Sequence, residues 1–134
     1  MFKMITNRGS GRTWNTCKYA LIHNCDIIVA GYSGDRTCVK YLEALCKQYG
    51  GSYEYVEAII RPGYCTVTIR DKEKGTNFTI NIYCSMYMKQ ENIDVSASKK
   101  PIVVDDIDQC FRNILGIKNL DGFTLGFDEF EFNK

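Results

Sequence analysis

The stretch DIIVA, residues 26–30, constrains the chain most, because Ile27 to Ala30 carry no polar side chain to turn toward water. A strand that is apolar on both sides must be covered on both sides, as strands inside a parallel sheet are. Gly31 and Gly34 end it, and helical patterns flank it. Trp14, Cys17, Leu21 and Ile22 recur at helical spacing, with Asn15, Lys18 and Tyr19 around the other side. Cys38, Val39, Leu42, Leu45, Cys46 and Tyr49 form a second stripe over 35–49, stopped by Gly50 and Gly51. With Phe2, Met4 and Ile5 as a short leading strand, the order is strand, loop, helix, strand, helix. That order predicts parallel strands joined by right-handed crossovers.

The middle of the chain follows a different period. YCTVTIR alternates Cys65, Val67 and Ile69 against Thr66, Thr68 and Arg70, and NFTINIY alternates Phe78, Ile80 and Ile82 against Thr79 and Asn81. The short charged link DKEKGT, with Gly75, suits a hairpin. Tyr53 to Ile60 reads as a further strand ending at Arg61-Pro62-Gly63. Antiparallel strands are therefore expected here, at an edge or as an insertion. Residues 85–100 are the most loop-like part of the chain, read as a solvated connection. After Pro101, IVVDD is an apolar strand ending in two acids. A helix follows with Ile107, Cys110, Phe111, Ile114 and Leu115 on its stripe, closed by Gly116. A last strand, GFTLGF, leads into the tail DEFEFNK.

Composition narrows the classes. A chain of 134 residues, 45% hydrophobic and 25% charged, has the size of one globular domain, and 1–134 reads as one. A net charge of +1 gives no overall bias toward nucleic acid or acidic lipid. Lys72, Lys74, Lys99 and Lys100 are turn and loop lysines among acids, so solvation accounts for them and nucleic acid is not the expected partner. No apolar run reaches the ~20 residues of a membrane span, and the N-terminus lacks a long apolar signal core, so a cytoplasmic protein is expected. The seven cysteines are odd in number and none are spaced C-x-x-C, which argues for reduced core thiols rather than a disulfide framework or zinc knuckle. His23, the single histidine, ends the first helical pattern, where the dipole favours it.

Chemistry concentrates at TNRGSGRTW, residues 6–14, between the first strand and the first helix. A Walker A loop, G-x-x-x-x-G-K-[ST], encloses phosphates with backbone N–H groups, reaches them with a lysine and binds magnesium through a hydroxyl. Thr6, Gly11, Arg12 and Thr13 occupy the corresponding positions, and Gly9 and Gly11 can supply the positive backbone torsions. IVVDD looks like a Walker B strand, with acids at the C-terminal end where open parallel sheets place their ligands. The competing reading makes Asp105, Asp106 and Asp108 simple caps of the following helix.

On these two motifs the chain resembles small P-loop NTPase-like proteins such as bacteriophages encode, over roughly two thirds of its length. The resemblance implies an α/β, three-layer P-loop NTPase-like domain with a mainly parallel sheet. It implies that Arg8, Gly9, Ser10, Gly11, Arg12 and Thr13 bind a nucleotide, ATP or GTP, with Mg2+ held by Thr13 and Asp105. Asp106 would stand where many such ATPases carry the acid that activates water.

Two departures bear on activity. Arg12 keeps the positive charge, but a guanidinium is broad and planar where lysine is a compact point charge. Thr6 stands where the first glycine would be. Two functions stay open: a nucleoside triphosphate binder that hydrolyses slowly or not at all, and a non-enzymatic interaction or inhibitory factor, as phages use against host systems. The second would use the hairpin, the 85–100 segment or the tail, where Phe127, Phe130 and Phe132 alternate with Asp128, Glu129 and Glu131. Its partner would be a host protein in the host cytoplasm.

Overall fold

The computed structural model describes residues 11–31, 33–88, 100–119 and 121. The strand expected at 2–5, residues 89–99 of the loop-like segment, the strand expected at 122–127 and the tail lie outside them. In chain order the elements are α1 (Arg12–His23), β1 (Asp26–Val29), α2 (Gly34–Gln48), β2 (Tyr53–Arg61), β3 (Tyr64–Asp71), β4 (Thr76–Cys84), α3 (Ser85–Met88), β5 (Ile102–Val104) and α4 (Ile107–Leu115).

The five strands form one sheet in the order β2-β3-β4-β1-β5. β1 runs parallel to both neighbours, with Ile28 opposite Tyr83 on β4 and Val104 on β5. β2, β3 and β4 form an antiparallel meander. The expectation of a mainly parallel sheet is thus corrected to a mixed one. The physical reason is the links: Pro62-Gly63 and Lys72 to Gly75 are too short for anything but a reversal. In the second turn, Asp71 accepts the backbone N–H groups of Glu73 and Lys74 at 3.0 and 3.1 Å, and Gly75 takes a φ of 67°.

β1 is buried along its whole length, as its composition requires. Ile27 and Val29 enter a core formed with α1, α2 and the meander, where Leu21, Leu42, Leu45, Ile69, Ile80 and Ile82 are buried. Each such aliphatic side chain contributes about 1.5–3 kcal/mol relative to exposure. Ile28 and Ala30 face the other way, into a smaller cluster with Cys110 of α4, Ile102 and Val104. Helices therefore cover both faces around β1. Among the described residues only the α2 side of the meander is covered, and Thr66, Thr68 and Asn81 stand half-buried on the other side.

Two details differ from the periodicity. Ile22, Ile114 and Leu115 lie on their helical stripes yet are exposed. Lys100 is no solvated loop lysine: its Nζ pairs at 2.8 Å with Asp26, the buried first residue of β1. A charge that deep is tolerated only with such a partner.

All seven cysteines are buried and unbridged. Burial pushes the Cys110 thiol up to about 12, and burial with the nearby Asp35 carboxylate does the same for Cys65. The thiolate is the reactive form. A chromogenic disulfide reagent is accordingly expected to find no reactive thiol in the native protein and all seven after unfolding in guanidinium. Reaction of several thiols without unfolding would show that the core opens.

Candidate functional site

Gly11 starts α1 in the left-handed region, φ 79° and ψ 20°, a conformation that glycine adopts without steric cost. Gly11, as the N-cap, has no side chain with which to cap the first-turn N–H groups. Thr13, in that first turn, donates its hydroxyl to Asp105 Oδ2 at 2.8 Å, joining residues 92 positions apart in the chain. One turn on, Thr16 donates to the Arg12 carbonyl at 2.9 Å and lies 3.5 Å from the other carboxylate oxygen.

Asp105 is placed by the sheet. Its backbone N–H donates to the Ile28 carbonyl at 2.8 Å, extending the β1–β5 pairing past Val104. The carboxylate therefore sits, buried, at the C-terminal end of the parallel strands. The Arg12 guanidinium lies across both acids, with Nε 3.8 Å from Asp105 and Nη2 3.7 Å from Asp106. These separations attract without the geometry of a strong hydrogen bond.

Asp106 does not cap α4 through its side chain, contrary to the capping reading. It holds φ 59°, a left-handed conformation costly for a residue with a Cβ, and turns its carboxylate toward Arg12. Burial, then a hydrogen bond with Asp108, raise its pKa, and Arg12 opposes them. Asp108 is held below the ordinary range by that hydrogen bond and by Arg112, 3.2 Å away. The pair thus retains a proton on Asp106 to higher pH than an isolated aspartate does.

Arg12 and Thr13, which follow Gly11, lie against Asp105 and Asp106, while Arg8, Gly9 and Ser10 lie outside the described residues. Trp14 turns away and packs edge-on against Tyr41, with ring centroids 5.3 Å apart. Beside the site runs the loop from β1 to α2, unforeseen as part of it. Its Ala30 carbonyl accepts from Ser85 Oγ at 3.1 Å and Asn113 Nδ2 at 2.8 Å, and Cys84 Sγ donates to the Gly31 carbonyl at 3.2 Å. A Cβ on Gly34 would come 3.2 Å from Val29, so the loop turns tightly onto its strand. Asp35, buried in the first turn of α2, accepts from the Cys65 thiol at 3.3 Å. Asp35 stands in the sequence only as the start of the second helical segment, and Ser85 and Asn113 carry no sequence signal.

A helix N-terminus, a cation, a hydroxyl and a carboxylate at the carboxyl end of parallel strands are suited to an anion accompanied by a cation. Thr13 and Asp105 bring together oxygen atoms of the hard kind that magnesium accepts. Among the described residues, no group of three or more His, Cys, Asp or Glu side chains is placed to hold a metal. Neither a family model nor a curated protein matches the chain significantly. Among the described residues no helix is long and apolar enough to cross a membrane.

Proposed function

We propose that the chain binds a nucleoside triphosphate with magnesium at Gly11 to Thr13, Asp105 and Asp106, and turns it over slowly or not at all. The hydrogen bond from Thr13 to Asp105 carries this reading: it couples the hydroxyl of the loop to the acid of the distant strand, the two groups expected to share the metal. Bound magnesium would neutralise the phosphate oxygens.

The protein's own groups limit the chemistry. Arg12 is drawn toward Asp105 and Asp106, so its charge is partly neutralised before a phosphate arrives. Transition-state stabilisation depends on preorganised placement of positive charge, which a guanidinium held by two acids supplies poorly. Asp106 would orient water, but its hydrogen bond to Asp108 competes for that role. The same internal neutralisation favours the second reading, an interaction protein that retains the loop as scaffold.

Thermal unfolding separates the two. Saturating Mg·ATP or Mg·GTP, at ~100 times its dissociation constant, is expected to add about 2.7 kcal/mol, and chelation of magnesium or Arg12→Ala should remove the gain. No shift with either nucleotide would leave the scaffold reading standing.

A further inference from the structure

We infer that the outer edge of β2 is a self-association surface, on which Glu57 to Arg61 pair antiparallel with the same residues of a second copy about a two-fold axis. Among the described residues β2 pairs on one side only, with β3. Its other side offers backbone N–H and C=O groups to a further strand. Edge strands of soluble chains are usually protected by charge, brevity or cover, yet this one is nine residues long and exposes Val56, Ile59 and Ile60, the last two at 45% and 51%.

The pattern along the strand identifies the occupant. A bulge between Tyr55 and Glu57 breaks the register with β3, and beyond it the pairing is regular from Glu57 opposite Thr68 to Arg61 opposite Tyr64. Within this straight half, Glu57, Ile59 and Arg61 share the open face with Thr66 and Thr68. Ala58 and Ile60 share the α2 face with Val67 and Cys65.

When the segment is laid antiparallel on itself with Ile59 on the axis, each Glu57 meets an Arg61, each Ala58 meets an Ile60 and Ile59 meets Ile59. Every pair lies on one face, as the two-residue period of a ladder demands. Opposite charges face each other at both ends, and apolar side chains fill the middle.

The surroundings fit the same register. Arg61 is held extended on the open face by its Nη1 bond to Thr66 Oγ1 at 2.9 Å and by the Tyr64 ring 4.8 Å below it. A guanidinium has five N–H donors, so that single bond leaves capacity for a carboxylate. Pro62, with no N–H, ends the ladder at one side and the bulge ends it at the other. Because the contact is isologous and occupies the β2 edge of both copies, this pairing closes at two chains. The short ladder suits a dimer of micromolar rather than nanomolar strength.

Light scattering and sedimentation velocity on the full chain test this. The mass is expected to rise with concentration from 15.4 kDa to twice that value. Glu57→Arg and Arg61→Glu should each yield monomers, because like charges then face each other at both ends. An equimolar mixture of the two should recover the dimer, since every cross-strand pair is again of opposite sign. Ile59→Lys, on the axis, should give monomers independently, with circular dichroism showing the fold intact. A wild-type chain monomeric throughout the micromolar range would overturn the inference. So would a dimer that survives the charge reversals, or folded single variants whose mixture stays monomeric.

Discussion

Lys100→Ala is expected to destabilise the fold by about 3 kcal/mol, read as a lower urea midpoint at unchanged slope, since removing one partner of a buried ion pair strands the other. Asp26 is 1% exposed and opens β1, an interior strand, where its carboxylate accepts from Lys100 Nζ and, at 2.9 Å, from the Asn81 backbone N–H. Lys100 also donates to the Thr79 carbonyl, so the one ammonium ties the residues before β5 to both β1 and β4. Its side chain is 30% exposed, and water admitted there holds the loss to the lower end of the usual range. Lys100→Met combined with Asp26→Asn should recover much of it, because no charge is then left in the core while the Asn81 N–H keeps an acceptor. A Lys100→Ala protein as stable as the parent would show that the ammonium is not needed.

Asp105→Ala is expected to cost about 2 kcal/mol and Asp105→Asn about 1, because the first removes the charged acceptor of Thr13 and the second keeps a neutral one. The same two variants should lose the magnesium-dependent nucleotide shift entirely, whereas Thr13→Ser, which retains the hydroxyl, should preserve both stability and shift. Melting curves with and without Mg·ATP separate the two effects. A full nucleotide shift in Asp105→Asn would mean that the ligand sits elsewhere.

The parts of this fold that were legible are those whose residues report their own surroundings. β1 shows double-sided burial in four consecutive buried residues, and β3 shows its inner face in Cys65, Val67 and Ile69. The antiparallel pairing of β3 with β4 was legible in the short charged link between them, but the place of β4 in the sheet was not. Nothing in the alternation of β4 says that it joins a meander on one side and a parallel strand on the other, because neighbour order is decided by the whole sheet. Apolar spacing also overstated the core at Ile22, Ile114 and Leu115, which are exposed.

For the site, the resemblance to the Walker A and Walker B motifs paired Thr13 with Asp105, since each stands at a motif position. It could not distinguish Asp106 as a cap from Asp106 facing Arg12, because that depends on one backbone torsion. Nor could it find Asn113, whose role exists only because α4 brings it back over Ala30.

That last placement affects how the carboxyl end of the sheet can move. α4 begins beside Asp105, which is tied to Thr13 and to Ile28, and near its other end Asn113 is fastened to Ala30 and, at 3.0 Å, to Ser85. Each fastening contributes only about 1 kcal/mol, but they run in sequence from the first turn of α1 through Asp105 and α4 to the end of β1. A displacement of the start of α1 therefore strains the loop after β1 through α4, and the two behave as parts of one plate rather than as separate flaps.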